Sequence, residues 1–167
     1  YTINDSFVND PYYKIVFRNR LGFTIWGNWG FMFPAQQSLG KQSKSGFSKI
    51  FNNSDKCWEW CAVNNSTRNY YDSCVKNDIK QPPSNLKIWV LKNQTSSSAP
   101  MLRRISSHIT TNWGSNWIEL LINSLYGNLA TFLIRHCKLL LPDIFIGTSS
   151  SRYDIIYGTV HHELSHA

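Results

Sequence analysis

The stretch from Trp117 to Ile146 is the longest apolar region of the chain, and it restricts the fold more than any other feature. Glu119, Asn123, Asn128, Arg135, His136 and Lys138 interrupt it. No uninterrupted apolar run therefore reaches the roughly 20 residues that a membrane span requires. Trp113 and Trp117 open a pattern that continues through Leu120, Leu121, Leu125, Leu129, Phe132 and Leu133. That spacing of three and four builds one apolar face of a helix, and Pro142 ends it at the latest. The expectation is a long helix buried in a folded core.

Shorter elements precede it. Tyr12 to Phe17 (YYKIVF) and Phe23 to Trp26 (FTIW) are aromatic and β-branched runs, punctuated by Gly22, Gly27, Asn28, Gly30 and Pro34. They read as strands between turns. Gly40 to Gly46 (GKQSKSG) is polar and reads as a loop or linker. It divides a β-rich segment, 1–45, from the remainder, 46–167. A helix is expected over about Ser54 to Val75, with Ser54 or Asp55 as its N-cap. Trp60, Val63, Thr67, Tyr70 and Cys74 would form its buried stripe. Pro82-Pro83 forbids helix, and Leu86 to Leu91 (LKIWVL) alternates as a strand with Leu86, Ile88 and Val90 on one face. After the polar loop Asn93 to Pro100 and the long helix, Asp143 to Gly147 (DIFIG) reads as a short buried strand. A loop, Gly147 to Arg152, leads to a last helix that begins near Tyr153 to Thr159. No internal repeat occurs. Interleaved strands and helices around a small sheet make the class α+β.

The composition, 42% hydrophobic and 16% charged, supports a packed core rather than a disordered chain. The net charge of +7 raises the question of nucleic acid. The positive residues are spread out, as Lys41, Lys44 and Lys49, then Arg103 and Arg104, then Arg135 and Lys138. No basic helix or nucleic-acid motif gathers them, so a nucleic-acid partner is not expected. Cys57, Cys61, Cys74 and Cys137 contain no C-x-x-C spacing, which argues against a zinc ribbon or a thioredoxin-like centre. They read as small buried thiols. The competing reading is one disulfide, for example to Cys74 or Cys137, in an oxidising compartment. With neither an initiating Met nor a signal peptide, the chain is expected to be a piece of a longer precursor. An anchor upstream is the only membrane link this reading allows.

The end of the chain carries the chemistry: His162-Glu163-Leu164-Ser165-His166. On a helix, residues four apart share a face one turn apart, so His162 and His166 aim at one point. Two neutral imidazole nitrogens can bind Zn²⁺ at about 2.0–2.1 Å each. Glu163, next to the first ligand, places a carboxylate beside the metal. There it can hold a water on the zinc, take its proton as general base and hand it to the leaving amine. The five-residue pattern is rare by chance and sits in a helical context, so the reading with zinc is preferred to two histidines without a metal.

The segment Tyr157 to Ala167, YGTVHHELSHA, resembles the active-site helix of the zincin metallopeptidases. The helix–strand–helix–strand order before it is similar to the amino-terminal half of their catalytic domain. The aromatic, turn-rich first segment resembles the accessory β-module of secreted metallopeptidases of bacterial surface-lipoprotein type. The resemblance implies that 46–167 is the amino-terminal part of a zincin-like catalytic domain ending in its active-site helix, and that 1–45 belongs to an accessory module. It implies His162 and His166 as zinc ligands, Glu163 as the catalytic acid/base, and a peptide or protein substrate outside the cytoplasm, in an extracellular, periplasmic or cell-surface setting. A third ligand is then expected beyond Ala167, a His further along the motif in the metzincin pattern or a Glu on a later helix in the gluzincin pattern.

Other residues have plainer expectations. His161 points about 100° away from His162 and reads as a surface residue or a support for the ligands. His108 and His136 read as structural. Asp154 could bond a ligating imidazole, though its spacing does not demand this. Trp26, Trp29, Trp113 and Trp117 lie among Gly and Asn and read as core packing; if exposed, they would form a sugar-stacking platform. That possibility defines the alternative function, a non-enzymatic surface module binding glycan or protein, with a fortuitous or vestigial H-E-x-x-H. Asn4, Asn52, Asn64, Asn65 and Asn93 fit N-x-[ST], which matters only in a eukaryotic secretory pathway.

Overall fold

The computed structural model describes residues 8–27, 33–45, 47–101, 141–149 and 152–167. The expected long helix from Trp113, together with His108, His136, Cys137, Trp29, Trp113 and Trp117, lies outside the described residues. The class is α+β. The elements in chain order are β1 (Tyr12–Val16), β2 (Phe23–Trp26), β3 (Gln36–Lys41), α1 (Trp58–Lys76), β4 (Leu86–Leu91), β5 (Ile144–Gly147) and α2 (Tyr153–Ser165).

β2, β4 and β5 form a parallel sheet with β4 in the centre. Phe23 pairs with Leu86 and Trp26 with Trp89 on one side, and Ile88 with Ile144 and Leu91 with Gly147 on the other. Parallel sheets are normally covered on both faces, and β4 follows that rule. Leu86, Lys87, Ile88, Trp89 and Val90 are all buried. The alternation expected for this strand is therefore real in direction but does not separate a dry face from a wet one.

One face, formed by Phe23, Ile25, Leu86, Ile88, Val90, Ile144 and Ile146, packs with Ala62, Val63 and Tyr71 of α1 and Ile156, Val160 and Leu164 of α2 in a single core. The opposite face carries Lys87, whose ammonium sits 4.2 Å from the centre of the Trp26 ring, and Trp89, which meets Phe145 edge-on.

β1 and β3 form an antiparallel ribbon with an irregular register between Tyr13 and Lys14. The ribbon is stitched to the parallel sheet at Phe17, whose N–H donates to Ala35 and whose carbonyl accepts the Ile25 N–H. The sheet and its ribbon thus draw strands from both the 1–45 and the 46–167 segments. β3 begins four residues before the polar stretch that reads as a linker and runs into it, ending at Lys41.

Helix α1 begins at Trp58, later than the sequence suggests, and neither Ser54 nor Asp55 caps it. Both side chains are used in the preceding turn, where Asp55 Oδ2 accepts the Asn52 N–H and the Ser54 hydroxyl bonds Asn52 Oδ1. The buried stripe consists of Glu59, Ala62, Val63, Ser66, Thr67, Tyr71 and Cys74, with Trp60 and Tyr70 on its flanks. Glu59 is tolerated there because Lys92, just after β4, pairs with its carboxylate at 3.2 Å. No helix among the described residues is long and apolar enough to cross a membrane.

Candidate metal centre

Helix α2 buries Ile156, Val160 and Leu164 against the core, with Glu163 beside them. This i, i+4, i+8 stripe fixes the rotation of the helix about its axis. His162 and His166 fall on its exposed side. Their Nε2 atoms stand 3.3 Å apart, with ring planes at 85° to each other. That separation is within reach of a long N–H···N hydrogen bond between the two rings. It matches the edge of a tetrahedron with arms of about 2.0–2.1 Å, which is about 3.3–3.4 Å. The two imidazole nitrogens are thus spaced as two neighbouring vertices of a tetrahedral site would be, which supplies two of the four positions a zinc ion takes. Among the described residues no group of three or more His, Cys, Asp or Glu forms a complete metal cage.

Glu163 is buried, only 7% exposed, while both neighbouring histidines are exposed. Burial pushes its carboxyl above the usual range, and His162 and His166 pull it part of the way back. A carboxylate raised toward neutrality is a better proton acceptor and donor near pH 7 than one in open water. The backbone at the end of the motif is held locally: the Ser165 hydroxyl donates to the His162 carbonyl, and the His166 N–H donates to that of Glu163.

His161 faces the other way, as its position on the helix dictates. Its ring stacks on Tyr157 at 4.1 Å and meets the edge of Tyr70, on α1, at 5.1 Å. Burial holds its pKa below the ordinary imidazole value, with the Ser66 backbone acting in the opposite sense. Its Nε2 is buried without a hydrogen-bond partner among the described residues. Sequence reasoning placed this ring near the ligands but could not see that α1 supplies its contact. Asp154 does not bond an imidazole; it lies exposed and pairs with Arg152.

The surroundings of the strands and of Trp26 bear on what could dock there. Neither β4 nor β5 offers an open edge to an extended substrate. β4 is central, and the far side of β5 is bonded to the preceding loop through Ser98 and Phe145, which exchange both backbone hydrogen bonds, and through Met101 to Asp143. Trp26 is buried, with the Lys87 ammonium against its ring, so it is not an exposed stacking platform. Cys57, Cys61 and Cys74 are free thiols.

No family model matches this sequence, and neither does any curated protein or solved structure with which it was compared.

Proposed function

We propose that the chain contributes the ligand-bearing helix of a zinc-dependent metallopeptidase, secreted or held at the cell surface, acting on peptide or protein substrates. The reading rests on one observation, the 3.3 Å between His162 Nε2 and His166 Nε2, with a buried carboxylate at Glu163 beside the pair. His162 and His166 would hold the ion, and a ligand beyond Ala167 would complete its shell. Zinc supplies Lewis acidity, polarising a carbonyl and lowering the pKa of a water molecule toward about 7. Glu163 orients the attacking water, accepts its proton on a carboxylate oxygen and delivers that proton to the departing nitrogen. Its burial raises the carboxyl pKa, the direction that favours both transfers.

The substrate main chain would run along the segment that covers β5. In an antiparallel pair the backbone groups of successive residues alternate in direction. Ser98 bonds inward to Phe145, so in extended backbone Ser97 and Ala99 would turn their groups to the other side, where a substrate peptide would add as a strand.

The test is a comparison of the full-length protein with its Glu163→Gln variant. Expected are about one zinc per chain in both, and loss of at least about 100-fold in peptide hydrolysis in the variant. His162→Ala should lose the metal as well. Full hydrolysis by Glu163→Gln, or unchanged zinc content in His162→Ala, would refute the reading.

A further inference from the structure

Basic residues scattered along the chain come together at one place away from the histidine pair. The in-register pairing of Phe23 with Leu86 and Thr24 with Lys87 brings the turn before β2 against the turn before β4. Between them lies a pocket of about 490 Å³, lined by Arg18, Asn19, Arg20, Gly22, Phe23, Thr24, Trp26, Asn85, Leu86 and Lys87. Three of these ten residues are cationic and none is acidic. Asp143, whose carboxylate accepts the Lys87 backbone N–H, is wholly buried and is not part of the lining.

The pocket is preshaped. Gly22 and Asn85 both adopt left-handed backbone, at φ 92 and φ 61. A β-carbon on Gly22 would come within 3.3 Å of the Asn85 nitrogen, so the two turns are in close contact. Lys87 is only 9% exposed, with its ammonium held over the Trp26 ring, while Arg18 and Arg20 are exposed. Two exposed guanidiniums at the rim, with a buried ammonium behind them against the Trp26 ring, place positive potential at this cleft. Guanidinium matches the tetrahedral oxygens of phosphate and sulfate through paired N–H donors.

We propose that this pocket binds a phosphate or sulfate group carried on a larger ligand, Arg18 and Arg20 grasping its oxygens. The volume exceeds that of the bare oxyanion and leaves room for the group to which the ester is attached. The site is independent of the metal centre, and its failure would leave the peptidase reading untouched.

The experiment titrates the full chain with inorganic phosphate, and separately with inorganic sulfate, at constant ionic strength set by chloride, following backbone amide resonances. Saturable shifts centred on Gly22, Thr24 and Asn85 are expected with at least one of the two oxyanions, and the one that binds more tightly identifies the ester. The double variant Arg18→Gln/Arg20→Gln, altered only at exposed positions, should raise the half-saturation concentration by about tenfold or more. Equal shifts with chloride alone would reduce the effect to screening and overturn the proposal. So would no saturation with either oxyanion, or the same half-saturation in the double variant.

Discussion

The His161 ring lies between Tyr157 of its own helix, 4.1 Å away between centroids, and Tyr70 of α1, 5.1 Å away edge-on. The first contact is internal to α2; the second ties α2 to α1. His162 and His166 ride on one rigid helix, so their mutual spacing survives any rotation of α2. Their aim at donors or substrates elsewhere does not. His161→Ala removes both aromatic contacts, each worth about 0.5–1.5 kcal/mol beyond its buried area. A loss of about 2 kcal/mol in urea unfolding is expected. An unchanged unfolding midpoint would mean that the ring contacts carry no net stability.

Gly147, the last residue of β5, illustrates a different constraint. A β-carbon there would lie 2.6 Å from both the Gln94 and Ser96 carbonyl oxygens. These are backbone atoms of the loop that returns over the sheet, and Ser97 Oγ accepts the Gly147 N–H at 2.9 Å. The loop cannot retreat without breaking its bonds to β5. Gly147→Ala is expected to destabilise the fold by about 3 kcal/mol, at the upper end of overpacking costs. Thermal or denaturant unfolding measures it, and a loss below half that figure would show the loop to be more compliant than its bonding suggests.

The strands Phe23–Trp26 and Leu86–Leu91 are legible in the sequence because aromatic and β-branched runs stand between turn residues there. β3 is not, because QQSLGK has no such run; its strand conformation comes from pairing with β1. The stripe of α1 was displaced for a similar reason. Glu59 is buried because Lys92, remote in sequence, neutralises it, whereas Trp60, placed in the stripe by its apolarity, lies at its flank over Gly27. At the candidate metal site, the spacing of His162 and His166 follows from helix geometry alone and could be read directly. The burial of Glu163 and the contact of His161 with Tyr70 depend on which elements pack together, and local periodicity does not contain that information.

Gly158 lies inside α2 on its exposed side, and a β-carbon there would meet nothing within 4 Å. Glycine in a helix interior costs about 0.5–1 kcal/mol relative to alanine through backbone entropy. Its backbone is helical, so alanine fits without strain. Gly158→Ala should therefore stabilise the chain by roughly that amount, seen as a higher unfolding midpoint with an unchanged denaturant slope. A lower midpoint would show that a neighbour outside the described residues needs the space.

Cys61 tests the local environment at the start of α1. Burial, followed by the neighbouring Cys57, pushes its thiol up to about 12. At pH 8 the thiolate would be about one part in ten thousand, against roughly a quarter for an ordinary thiol of pKa about 8.5. A more basic thiolate is also a better nucleophile, which returns part of that factor. Alkylation of Cys61 by iodoacetamide should then be roughly a hundredfold slower in the folded chain than in urea, followed by peptide mass spectrometry. The sign of the stability effect follows from the same shift. The folded state retains the proton after the unfolded thiol has lost it, so the contribution is complete below the unfolded pKa. It declines as pH rises through that value toward about 12. Replacing Cys61 by Ser should flatten this alkaline decline, and an equally steep fall in the variant would assign the decline to other groups.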